Sequence, residues 1–202
     1  MKQNGGIKRG RALAAIACTV ILASAVAATD ADAAPSADNR VIAIDLRARV
    51  APRCGVKDGS RGSIDANQDL EDAARLTLRI GLDCNTPYAF GVTASHGALV
   101  NLDVADDHSG YAFRKVYGLA VTLNTDAGAV HSTRCRSTDL VQGGRCAFAG
   151  NAVGEGLKSG RGISIDRDAV LTIDWPSQST LPRRLAPGHY RDTLTITVGA
   201  NA

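Results

Sequence analysis

Five cysteines, four histidines and a cluster of aspartates are the residues whose chemistry could define a site, and their spacing decides what they can do. Zinc knuckles need ligands a few residues apart. No C-x-x-C or H-x-x-x-H pair is present, and the closest cysteines, Cys135 and Cys146, are eleven apart. His96, His108, His131 and His189 each fall in or beside a predicted turn, which reads as exposed loop histidines rather than ligands. Asp103, Asp106 and Asp107 could hold calcium, but their spacing matches no EF-hand loop and reads as a solvated turn. Gly154-Glu-Gly-Leu-Lys-Ser-Gly160 is glycine-rich yet lacks a strand-to-helix frame and a G-K-[ST] ending, so it is not a phosphate cradle. No serine sits in a G-x-S-x-G elbow. The expectation is therefore a protein that is not an enzyme, with no metal and no cofactor.

The cysteines make sense once the amino terminus is read. Lys2, Lys8, Arg9 and Arg11 precede an apolar run from Ala12 to Ala28, and small residues follow. That order is a secretory signal, with cleavage expected after Ala31-Asp32-Ala33 or after Ala25-Val26-Ala27. As a membrane span the run is slightly short of the roughly 20 residues needed, and alanine dominates it. Removing residues 1–33 takes away four basic and two acidic side chains, so the formal net charge falls from +3 to +1. The basicity belonged to the signal, and no electrostatic case for nucleic acid or an anionic membrane remains.

Cys18 leaves with the signal, and Cys54, Cys84, Cys135 and Cys146 stay. An even count in an exported chain reads as disulfides. Three pairings are open, and Cys54–Cys84 with Cys135–Cys146 is favoured because each closes a local loop.

The elements that must carry these residues are strands. Ile42, Ile44, Leu46, Ala48 and Val50 alternate with Asp45, Arg47 and Arg49. Leu76 to Cys84 repeats the pattern, with Leu76, Leu78, Ile80, Leu82 and Cys84 inward. Tyr88 to Ser95, Leu119 to Leu123, Ala169 to Trp175 and Tyr190 to Val198 are further strands, and Asp69 to Arg75 could make one short helical turn. Asn85-Thr-Pro87, Gly143-Gly144 and Ala186-Pro-Gly188 mark turns. Together they predict an all-β sandwich over 54–202, preceded by an extension at 34–53. Val41 to Val50 could be an ordinary first strand of that sandwich. The last strand runs nearly to Ala202, leaving little chain to cover its free edge.

An alternating strand before Cys54, the stretch Cys84-Asn-Thr-Pro-Tyr-Ala-Phe-Gly-Val-Thr-Ala-Ser-His-Gly97, and the closing Gly188-His-Tyr-Arg-Asp-Thr-Leu-Thr-Ile-Thr-Val198 are similar to the spore coat protein U-like domain, the pilin type of archaic chaperone–usher systems. The resemblance implies an incomplete immunoglobulin-like β-sandwich whose missing strand is lent first by a periplasmic pilus chaperone and then by a neighbouring pilin subunit, with an outer-membrane usher as the third partner. It implies Ile42, Ile44, Leu46, Ala48 and Val50 as donor plugs and Leu194, Ile196 and Val198 as one wall of the acceptor groove. It also implies Cys54–Cys84 as the family disulfide, and a route through the periplasm to a surface fimbrium serving adhesion and biofilm. A secreted ligand- or carbohydrate-binding sandwich is the alternative expectation, and a small exported hydrolase a distant third.

Overall fold

The computed structural model describes residues 43–57, 69–107 and 109–201. The expected signal segment with both expected cleavage sites, Cys18, Ile42 and His108 lie outside them. The chain divides into two units, Met1–Arg47 and Ala48–Ala202. In the first, Asp45 and Arg47 form an exposed ion pair at 2.8 Å, and residues 43–47 join no sheet.

The second unit is all-β with antiparallel sheets. Its strands are β1 (Ala74–Cys84), β2 (Tyr88–Ala94), β3 (Leu99–Asn101), β4 (Arg114–Lys115), β5 (Gly118–Thr125) and β6 (Gly128–His131). They continue as β7 (Cys135–Arg136), β8 (Leu157–Lys158), β9 (Ser164–Trp175), β10 (Tyr190–Arg191) and β11 (Leu194–Ala200). One sheet runs β1-β9-β5-β6, with β7 also on β5; a second runs β11-β2-β8, and a small third runs β10-β3-β4.

Alternation builds the first sheet. Leu82, Leu119, Leu123, Ala169 and Leu171 point inward and are completely buried, while Arg75, Thr77 and Arg79 point outward. Each such leucine contributes about 1.5–3 kcal/mol of burial. β2 does not alternate, because both its faces are covered. Tyr88, Phe90 and Val92 fill the core, and on the far side the Gly150 carbonyl comes so close to Gly91 that a Cβ there would sit 2.6 Å away. Both disulfides form, Cys54–Cys84 and Cys135–Cys146. That is the chemistry of an oxidising compartment. Among the described residues no helix is long and apolar enough to cross a membrane.

Two sequence expectations change. Asp69 to Arg75 is a turn that leads into β1, not a helical turn. Its carbonyls are taken by other elements: the Trp175 indole donates to Asp72, the Gln178 amide to Glu71, and the buried Lys115 amine to Leu70. Tyr190 to Val198 is not one strand but two, β10 and β11, in different sheets. The break is at Asp192-Thr193.

Candidate functional site: an open seam in the sandwich

β1 and β11 are both edge strands. β11 pairs with β2 along its whole length, Leu194 opposite Ala94 through Ala200 opposite Tyr88, and among the described residues nothing occupies its other edge. β1 pairs with β9 from Ala74 opposite Trp175 to Cys84 opposite Ser164. Residues 53–57 cover only the far end of β1, where Lys57 donates to Gly81 at 2.9 Å and Asp83 donates to Gly55 at 3.0 Å.

Burial follows that coverage. Along the inward row of β1, Ala74, Leu76 and Leu78 are half-buried, and Ile80, Leu82 and Cys84 are sealed. Leu194, Ile196 and Val198 also touch the core yet stay half-buried. Inward residues of a closed sandwich are shielded by the opposing sheet and by neighbouring strands. Among the described residues these two rows lack such neighbours, so each leaves a half-covered apolar row beside an unpaired backbone edge.

The covered end of β1 is held tightly. Besides the disulfide, Arg53 bonds Asp83 at 2.8 Å, and Asn85 grips the chain twice, donating to the Ala51 carbonyl at 3.0 Å and accepting from the Arg53 amide at 2.7 Å. The hydrogen bond with Arg53 holds the Asp83 carboxyl below its usual range. Lys57 pairs with Asp166, a non-glycine residue at φ 54° beside the irregularity at Leu82/Asp83 that breaks the β1–β9 register. The extra residue of that bulge is thereby aimed at the lysine.

Ile44, Leu46 and Val50 are 77%, 90% and 80% exposed, Ala48 is exposed as well, and 43–50 contains no strand. The described part of Val41 to Val50 is thus not a first strand of this sandwich.

The other end of the seam is set by Asp192, whose side chain is only 2% exposed. Four donors converge on it: the Tyr117 hydroxyl at 2.7 Å, the Ser95 hydroxyl at 2.8 Å, and the Thr193 and His96 amides at 2.8 and 3.0 Å. Burial opposes its ionisation, but the donors prevail and hold its carboxyl below the usual range. Burial, reinforced by the bond to Asp192, pushes the Tyr117 phenol well above its own. Meeting these donors turns the chain out of β10 and delivers Leu194 to the seam. Just upstream, Gly188 has φ 143°, and a Cβ there would press on the Asn101 side chain. That amide donates to the Pro187 carbonyl at 3.1 Å, and the Tyr190 hydroxyl donates to the Ala186 carbonyl at 2.7 Å. The closing Gly-His-Tyr-Arg-Asp-Thr-Leu motif is therefore a chain of turn and anchor contacts.

Ser95 and His96 are exposed beside Asp192, and the Ser95 hydroxyl lies 2.9 Å from His96 Nδ1. No imidazole stands between serine and carboxylate, so the group acts as a buckle. Asp103 likewise accepts from the His189 amide and ring, each at 2.8 Å. Among the described residues no three ligating side chains gather as a metal site.

Asp192→Asn tests the buckle. It leaves donors facing an amide nitrogen and costs about 1–3 kcal/mol in urea unfolding. Because the folded carboxyl is depressed, its contribution is complete above the unfolded value of about 3.9 and is lost as pH falls through the folded one. The variant therefore shows a shallower acid-unfolding limb than wild type. An unchanged acid limb rules the buckle out.

The sequence singled out Leu194, Ile196 and Val198, and the structure places them in the half-buried row of the edge strand β11. It did not single out Leu76 and Leu78 as half-covered, nor Asp192 as an anchor. An aspartate between Arg191 and an alternating threonine run was the available sign. The chain matches no protein-family model, and no curated protein shows significant similarity to it.

Proposed function

We propose that this protein is a structural subunit of a surface fibre that assembles by strand exchange. The seam between β1 and β11 receives the 42–50 segment of a neighbouring copy, after a periplasmic chaperone has occupied it and an outer-membrane usher has exchanged the two. One observation carries the reading. Two edge strands expose half-buried apolar rows, and the same chain holds an exposed, strand-free segment with apolar residues at every second position. The lengths suit each other. Nine residues at about 3.3 Å each span about 30 Å, enough to cover the seven-residue β11 (about 23 Å). Main-chain hydrogen bonds at an open edge supply affinity, and the alternating side chains supply register.

A labelled synthetic peptide covering residues 41–50 tests this. It is expected to form a saturable complex with the protein and to raise its midpoint of thermal unfolding as peptide concentration rises. A peptide of the same composition with its apolar residues out of alternation is expected to do neither. Equal behaviour of the two peptides defeats the reading.

A further inference from the structure

The outward face of the β1-β9-β5 sheet, away from the seam, carries an ordered set of guanidinium groups. Register places Arg75, Asp174, Gly118 and Arg136 in one row across β1, β9, β5 and β7. The next row is Thr77, Thr172 and Ala120, and the third is Arg79, Val170, Thr122 and His131. At about 4.8 Å between strands, Arg75 and Arg136 stand about 14 Å apart.

Arg134 reaches over this floor. Its Nε and Nη2 donate to the two Asp174 oxygens at 3.0 and 2.5 Å, and a Cβ on Gly118 would collide with its guanidinium. Glycine at 118 thus lets the guanidinium lie flat on the sheet. The Asp174 carboxylate is occupied by Arg134, and Arg79 makes only a loose 3.7 Å pair with Asp168. Arg75 and Arg136 are exposed and have no ion-pair partner among the described residues. Four guanidinium groups face two carboxylates. Between them lie Thr77, Thr172, Ala120, Thr122 and Val170, with His131 at the edge of the third row.

We infer that this face binds an acidic polysaccharide, its carboxylate or sulfate groups taken by Arg75 and Arg136 and its hydroxyls by the threonine row between the arginines. Forked guanidinium donors match planar or tetrahedral oxyanions. Charge complementarity selects this partner over others. The interspersed Asp168 and Asp174 repel the dense phosphate array of duplex DNA, with one charge per roughly 1.7 Å, but tolerate anions spaced by whole sugar rings. The floor offers no exposed apolar wedge for lipid. This inference stands apart from the strand-exchange proposal, because it uses the opposite face of β1.

Affinity electrophoresis or calorimetry of the intact protein provides the test, with polygalacturonate as the carboxylated probe, dextran sulfate as the sulfated one, and neutral dextran and duplex DNA as comparisons. Binding to at least one acidic polysaccharide, weakened by salt and absent for neutral dextran, is expected; which acid binds tighter identifies the anion. Arg75→Ser with Arg136→Ser is expected to weaken it at least tenfold while leaving the circular dichroism spectrum and unfolding midpoint in place. Thr77→Glu weakens it and Thr77→Lys strengthens it, a pair of opposite effects that misfolding cannot produce. Equal binding to neutral dextran, tighter binding to DNA than to either acid, or indifference to the arginine pair overturns the assignment.

Discussion

Replacing Ile44 and Leu46 together with aspartate is expected to abolish fibre assembly while leaving the folded domain intact. Both side chains are almost wholly solvent-exposed in the single chain, at 77% and 90%, so the domain loses no packing when they change. On the strand-exchange proposal they become core residues of the next copy, where each buries a side chain worth about 1.5–3 kcal/mol. Aspartate at the same positions forfeits that gain and brings a charge into an apolar strip, where burial without a partner costs several kcal/mol more. The combined penalty exceeds about 6 kcal/mol, at least four orders of magnitude in affinity. Electron microscopy and size-exclusion chromatography read the outcome. Arg47→Ser, on the opposite side of the alternation, serves as the control and should assemble normally. Fibres of wild-type length from the double variant would eliminate the proposed donor.

The second large effect concerns the clamp at the covered end of β1. Cys54→Ala with Cys84→Ala is expected to lower unfolding stability by about 3–4 kcal/mol, the loop-closure value for a bridge of sequence separation 30. The same exchange at Cys135 and Cys146, separated by 11, is expected to cost about 3 kcal/mol or less. Urea midpoints of the two variants should rank in that order. The first change has a further consequence that loop closure alone does not produce. Residues 53–57 shield Ile80 and Leu82 only while they lie along β1, held by the bridge, by Arg53–Asp83 and by Lys57–Asp166. Without the bridge, protection from hydrogen exchange should fall at the Lys57 and Asp83 amides before it falls in β9. Uniform loss of protection across β1 and β9 would show that the clamp has no local role.

Much of the sheet framework was legible in the residues. β1, β2, β5 and β9 lie where apolar alternation or a bounded apolar run placed them, because inward side chains recur every second residue in any half-buried strand. β3, β4, β6, β7 and β8 have two to four residues each and were not legible. So short a run shows no period. The split between β10 and β11 was hidden for another reason. The pattern of Tyr190 to Val198 is that of one strand, and only the meeting of Asp192 with Tyr117, Ser95, His96 and Thr193 breaks it.

By itself the sequence determined the all-β class, the local disulfide pairs it favoured, and the inward rows of the long strands, because each depends on neighbours close along the chain or on a repeat of two. Only the tertiary structure decided which rows remain half-covered. Leu78 and Leu82 are identical in type and share a face, yet one is half-buried and the other sealed. The difference is made by residues 53–57 lying beside one and not the other, and by the Cys54–Cys84 bridge that holds them there. Cysteines that first raised the question of metal chemistry instead mark where the seam stops.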